Sequence, residues 1–158
     1  MHDRFDAALC FARLEVASAE AAVRYLAREL AKAGHVKASF EAAAVARERR
    51  SPTGLPFPGP GGAVALPHAE PEHVESPALA IATLARPVKF REMGSPASQL
   101  DVALVVMPAL TAKEQAAAGL AQLIESLQSE SLRRALLDAS DAAAMRAALA
   151  QAPRASAG

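Results

Sequence analysis

The run Val102-Ala103-Leu104-Val105-Val106-Met107 is almost wholly apolar. A strand with one wet face alternates apolar and polar residues, so an unbroken run of this kind reads as a central strand covered on both faces. Covering both faces takes helices, and the helical patterns are present. Ala19, Ala22, Val23, Leu26, Leu30 and Ala33 recur at helical spacing, with Ser18 placed as N-cap and Gly34 as a C-terminal stop. A second helix is expected from about Lys37 to about Arg49, with Phe40 and Ala44 inward and Pro52 breaking it. Thr111-Ala112-Lys113-Glu114 has the form of a capping box, and Ala116, Leu120, Leu123, Ile124 and Leu127 follow on one face. Two shorter helices follow, one with Leu132 and Leu136, the other starting near Asp141 with Met145 and Leu149.

Further strands are read from shorter patterns. Cys10, Ala12, Leu14 and Val16 alternate with Phe11, Arg13 and Glu15, a period of two that places the first set on a buried face. Ala63–Leu66 and Ala78–Leu84 are short apolar runs, Val88-Lys89-Phe90 reads as an edge piece, and a turn is expected near Gly94. Residues 51–62 carry Pro52, Pro56, Pro58 and Pro60 with Gly54, Gly59, Gly61 and Gly62, and are expected to be a loop between two core elements. The expectation is one α/β domain over residues 1–152, a mixed sheet flanked by helices, with a frayed tail over 153–158.

Composition excludes several functions. The 17 basic and 17 acidic side chains cancel, so no global field draws the chain to nucleic acid or an anionic membrane. With no Trp and one Tyr, stacking on bases is not a general device here. No apolar stretch reaches the ~20 residues that span a bilayer, and no signal-peptide pattern opens the chain, so a cytoplasmic protein is expected. Cys10 stands alone, which rules out an intrachain disulfide and suits a buried, inert thiol.

His68 is the candidate reactive residue. It follows Val64-Ala65-Leu66-Pro67, a short strand whose end is a rigid platform, and proline fixes the incoming backbone. Imidazole is nucleophilic near pH 7 and can accept a phosphoryl group on nitrogen. Taken alone, Ala65-Leu66-Pro67-His68 reads first as a histidine hydrogen-bonded within a loop. Its surroundings add weight to the reactive reading. Arg47-Glu48 ends the second helix, Pro52-Thr53-Gly54-Leu55 follows, and Glu72-His73-Val74 lies just downstream. Arg47 offers a planar fork suited to phosphate oxygens, although a solvated helix-end arginine beside Arg49 and Arg50 is the commoner fate. Thr53 and Gly54 can present a hydroxyl and backbone amides to a phosphate, or simply turn the chain after Pro52. His68, Glu70, Glu72 and His73 invite a metal reading, but Pro71 breaks the alignment and no cysteine supports it, so no metal is expected. His73 then serves near His68 or is a surface residue; His2 and His35 carry no supporting context. No phosphate-cradling Gly-x-x-x-x-Gly-Lys loop and no Gly-x-Ser-x-Gly elbow occurs, so the phosphoryl donor is expected to be another protein rather than ATP, and no cofactor is called for.

These pieces, Arg47-Glu48, Pro52-Thr53-Gly54-Leu55, Val64-Ala65-Leu66-Pro67-His68, Pro87-Val88-Lys89-Phe90, Met93-Gly94 and Leu104-Val105-Val106-Met107, fall in the order that resembles the EIIA component of the bacterial sugar phosphotransferase system, fructose/mannitol type, and especially its galactitol-like branch. The resemblance runs from the first strand to the last helix. It implies a transferase component working through a phosphohistidine at His68, formed on the distal ring nitrogen. It implies the phosphocarrier HPr as donor and the cysteine of an EIIB component as acceptor, with a membrane EIIC moving the sugar. It singles out Arg47 for stabilising phosphoryl charge. Two departures are visible: Pro56-Phe57-Pro58-Gly59-Pro60 enlarges the stretch before the strand, and Gln115 stands where many relatives carry a second histidine. A glutamine can donate to a phosphate oxygen but cannot relay a proton. Some proteins of this type regulate others through their phosphorylation state and carry no sugar flux, which is the competing reading; a vestigial His68 is a third.

Overall fold

The computed structural model describes residues 8–59 and 61–151. The elements are β1 (Leu9–Leu14), α1 (Ala19–Lys32), α2 (Phe40–Arg50), β2 (Gly54–Pro56), β3 (Ala63–Ala65), a 3-10 turn (Pro71–His73), β4 (Ala78–Glu92), β5 (Ser95–Ala109), α3 (Lys113–Leu127), α4 (Glu130–Asp138) and α5 (Ala142–Ala150). The sheet is mixed. β1 runs parallel to β4, β4 and β5 form a long antiparallel hairpin, and β3 lies parallel to β5 with Val64 opposite Leu104. β2 pairs antiparallel with β3 and meets the far end of β4, Gly54 opposite Glu92.

The all-apolar run is indeed central, and both of its faces are buried. Val105 and Met107 pack with Ala65, Ala80, Ala82 and Phe90 beneath α1 and α2. Leu104 and Val106 pack with Val64, Leu66, Leu79 and Ile81 beneath α3, α4 and α5. The period of two survives inside an apolar strand because both sides of the pleat face a hydrophobic layer.

Helix caps follow the sequence where a short polar side chain is present. Ser18 accepts from the Ala21 N–H (3.1 Å), Asp141 from the Ala144 N–H (2.8 Å), and Gly34 takes a positive φ past the end of α1. The predicted capping box does not form as expected: α3 has Ala112 as N-cap, with no side-chain cap bond, one residue past Thr111. The side chain of Glu114 lies outside the described residues, as does the tail expected to fray.

Three strand expectations are corrected. β1 does not keep one buried face, because Arg13 adopts φ 56° and the register slips between Phe11 and Leu14. Cys10 and Ala12 pack on the α3–α5 side, whereas Leu9, Phe11, Leu14 and Val16 join the α1–α2 side. The Arg13 N–H is received by the hydroxyl of buried Thr83 (2.8 Å), which holds this bulge in place. Cys10 is buried as expected, and burial pushes its thiol pKa up. Next, the two apolar pieces at 78–84 and 88–90 are one strand: the ladder with β5 shifts between Thr83 and Val88, which accommodates Pro87 without an N–H. Finally, the expected loop 51–62 contains β2.

The remainder of that Pro/Gly segment is anchored by Arg133, which is fully buried. Its guanidinium donates to the Leu127 carbonyl (2.6 Å) and the Pro58 carbonyl (2.7 Å), and lies 4.9 Å from the centre of the Phe57 ring. The loop is thereby tied to the end of α3 and to α4.

Gly54 is required by close approach. A Cβ there would stand 2.7 Å from the Arg91 carbonyl oxygen, a backbone atom that cannot swing aside. Gly54→Ala is expected to cost about 1–3 kcal/mol through overpacking. For a chain of this size that lowers Tm by roughly 2–4 °C per kcal/mol, measured by thermal unfolding. An unchanged Tm would show that the β2–β4 junction yields.

Candidate functional site

β3 ends at Ala65, and Leu66 and Pro67 carry the chain out to His68, which is half-buried. The ring is held from both sides. Nδ1 lies 2.9 Å from the Leu66 carbonyl, which can only accept, so Nδ1 carries the hydrogen. Nε2 receives the Nε–H of Arg47 at 3.2 Å, so Nε2 presents its lone pair. The two contacts select the same neutral tautomer. Burial holds the His68 pKa below the usual imidazole range; the bond to Leu66 opposes this, and the Arg47 charge reinforces it.

Arg47 sits in the last turn of α2, where a cation suits the helix C-terminus. It reaches His68 because β2 and β3 fold the intervening chain back on itself. Its Nη1 donates to Glu70 at 3.1 Å, and Arg50 approaches the same oxygen at 3.4 Å. Glu70 is held below the ordinary carboxylate range, first by its own backbone N–H and then by Arg47 and Arg50. The result is a cation beside Nε2, aimed by a carboxylate.

Two residues expected to touch phosphate are used elsewhere. Thr53 is buried at 2% exposure, and its hydroxyl hydrogen goes to Glu48 (2.7 Å) while its oxygen accepts the Leu66 N–H (3.0 Å). It has no hydrogen left for a phosphate oxygen. Gly54 is buried against the Arg91 backbone, and its carbonyl accepts from Met93 (2.8 Å), so its role is in the sheet. His73 is also redirected. Its ring bonds Ser39 (2.8 Å) and its carbonyl accepts from Lys37 (2.8 Å), fastening the 3-10 turn to the α1–α2 connection rather than supporting His68. Gln115 lies exposed in the first turn of α3 and shares no hydrogen bond with His68 among the described residues. His35 bonds Ser76 (2.9 Å) and is half-buried, not free on the surface; His2 lies outside the described residues.

Glu48 and Glu70 are the partners that sequence reasoning missed. Glu48 was visible only as half of the Arg-Glu pair. Its carboxylate takes both the N–H (2.9 Å) and the O–H of Thr53, and burial raises its pKa against those two bonds. Glu70, two residues past His68, carries no signal that distinguishes it from Glu72. No group of three or more His, Cys, Asp or Glu among the described residues is placed to hold a metal ion.

The site is a neutral imidazole on an α/β scaffold, with one ring nitrogen bonded to a backbone carbonyl and the other to a guanidinium. Residues 4–152 match the model of the phosphoenolpyruvate-dependent sugar phosphotransferase system EIIA 2 family, and the chain belongs to that family, whose members are phosphotransfer proteins acting through phosphohistidine. Similar folds are seen in enzyme IIA mannitol of Escherichia coli, alone (TM-score 0.70, 23% identity, covering 89% of this chain and 94% of that one) and in complex with phosphorylated enzyme IIB mannitol (TM-score 0.71, 23% identity, 89% and 93%). The nitrogen regulatory protein IIA-Ntr of Neisseria meningitidis is also similar (TM-score 0.67, 22% identity, 94% and 97%). No curated protein matches the chain.

The depressed His68 pKa has a direction that can be measured. Its NMR titration midpoint is expected below the ordinary value of 6.5, and Arg47→Ala, which removes a repelling charge, moves it upward. The unfolded chain binds this proton at higher pH than the folded one. Stability is therefore full above the ordinary histidine range and falls as pH drops through it towards the His68 midpoint. A midpoint at or above 6.5 would contradict the site geometry.

Proposed function

We propose that the chain is a phosphocarrier of a galactitol-like sugar uptake system, with His68 accepting phosphoryl from HPr on Nε2 and passing it to the cysteine of a cognate EIIB. The observation that carries this is the bond from Nδ1 to the Leu66 carbonyl, which leaves the Nε2 lone pair facing outward beside Arg47. In the first transfer Nε2 forms a bond to phosphorus as the bond from phosphorus to the HPr nitrogen breaks, and that nitrogen leaves with the electron pair. In the second, the EIIB thiolate attacks phosphorus and Nε2 recovers its lone pair. The Nδ1–H stays in place throughout, and its carbonyl partner offsets positive charge on the phosphorylated ring. No proton relay is required, which suits glutamine at position 115.

Arg47 already occupies the space in front of Nε2. It is the group to turn from the lone pair to the phosphoryl oxygens, with Glu70 keeping it close. Pro52-Thr53-Gly54-Leu55, Glu72-His73-Val74 and Gln115 support the galactitol-like assignment. EIIB as partner draws on the similarity to the mannitol complex, and HPr and a membrane EIIC on the family. No helix among the described residues is long and apolar enough to cross a membrane, which is compatible with work in the cytoplasm at the membrane face. The regulatory alternative draws on the similarity to the nitrogen regulatory protein, whose identity to this chain is nearly the same as that of the mannitol proteins.

Incubation with enzyme I, HPr and labelled phosphoenolpyruvate is expected to give acid-labile, base-stable label on the wild type and none on His68→Ala. Arg47→Ala is expected to slow labelling on the order of a hundredfold. Loss of label on addition of cognate EIIB supports transport; label that no EIIB removes favours regulation. Absence of label on the wild type with a matched HPr would overturn the phosphocarrier reading.

A further inference from the structure

Arg47 and Glu48 are consecutive on α2, so their side chains leave the helix about 100° apart. Arg47 goes to the open side of the His68 ring. Glu48 goes behind the strand and receives both hydrogens that Thr53 can donate. The Thr53 oxygen then accepts the Leu66 N–H, and the Leu66 carbonyl accepts Nδ1–H of His68. Residues from a helix, the turn that follows it and a strand end therefore form one unbroken series of hydrogen bonds ending on the imidazole.

We propose that Glu48 and Thr53 are positioning residues for His68, which set its tautomer and aim through the backbone of Leu66. The role deepens the phosphocarrier reading and rests on it only for its effect on rate. Leu66 lies beyond the last paired residue of β3, where no ladder partner receives its N–H. Without Thr53 that buried N–H has no acceptor among the bonds described, and the Leu66 carbonyl is free to turn away from Nδ1. A threonine hydroxyl can accept a bond and donate one at once, but its hydrogen must be committed for its lone pair to face the peptide. The Glu48 carboxylate, which only accepts, commits it. A glutamine at 48 keeps one acceptor oxygen for two donors, so its NH2 group is set against either the Thr53 N–H or the hydroxyl and the arrangement is broken. Outer partners of this kind orient a reactive imidazole and fix which nitrogen holds the proton.

The test compares Thr53→Ser, Thr53→Val and Glu48→Gln with the wild type, each confirmed as folded by its amide NMR fingerprint. Two readouts are taken: the protonation state of the His68 ring nitrogens by 15N NMR above the titration midpoint, and the rate of phosphoryl acceptance from HPr. The wild type and Thr53→Ser are expected to hold the proton on Nδ1 and to react within about twofold of each other. Thr53→Val and Glu48→Gln are expected to lose part of the Nδ1-protonated form to the other tautomer, since only the Arg47 donation to Nε2 then favours it, and to react about tenfold to a hundredfold more slowly, with KM for HPr unchanged. An Nδ1-protonated share in Thr53→Val equal to that of the wild type would overturn the proposal, even if the rate falls, because a slower reaction without a tautomer change is a packing defect. If the wild type accepts no phosphoryl group, the functional reading fails, while the 15N measurement still decides the positioning role.

Discussion

Leu66 is the residue through which the site is held. Its side chain is buried in the α3–α5 layer beside Val64 and Ile81. Its N–H is bonded to Thr53 and its carbonyl to His68. A backbone unit held at three points cannot rotate without stranding a buried polar group, and each such group costs on the order of 1–3 kcal/mol. That constraint converts the stability of the core into the orientation of one imidazole. It also explains why the strand before the histidine is short: β3 stops pairing at Ala65, so that Leu66 can turn its hydrogen bonds from the sheet to the site.

The electrostatics of the site balance around the same ring. Burial holds the imidazole neutral, and the cation at Nε2 adds to that effect. Glu70 keeps Arg47 in place without contacting the ring itself, and shares its oxygen with Arg50. Arg47 is about one-third exposed and Arg50 well over half, so the positive charge stands at the mouth of the site and remains open to an incoming anionic group.

The enlarged Pro/Gly segment is a feature of this chain that the structure accounts for. A buried arginine is costly unless its hydrogens are spoken for. Arg133 places two of them on carbonyls, one at the end of α3 where helix carbonyls lack partners, the other in the loop at Pro58, while its Nε–H finds no acceptor among the described residues. The longer loop is thus fastened to the α3–α5 layer, with Phe57 packed over the guanidinium. The site lies on the opposite course of the same chain, beyond β3.

Most of the architecture was legible from local pattern. The all-apolar run at 102–107, the Ser18 cap, the start of the last helix near Asp141 and the period of α1 depend on neighbouring residues only, and they lie where expected. The bulge at Arg13 was not legible, because it depends on the hydroxyl of Thr83, 70 residues away. The same division holds at the site. His68 after Pro67 at a strand end, and Arg47 at a helix end, could be singled out from residue type and order. The Arg-Glu pair and the Thr-Gly pair were visible as motifs, yet their tasks were not. Thr53 and Gly54 suit a phosphate by residue type, and they are spent on Glu48, Leu66 and Arg91 because burial brings those groups within reach. The amino-acid order determined which chemistry was available; the fold decided which hydroxyl, carboxylate and carbonyl would meet, because a hydrogen bond is short-ranged and sequence carries no distances between residues far apart in the chain.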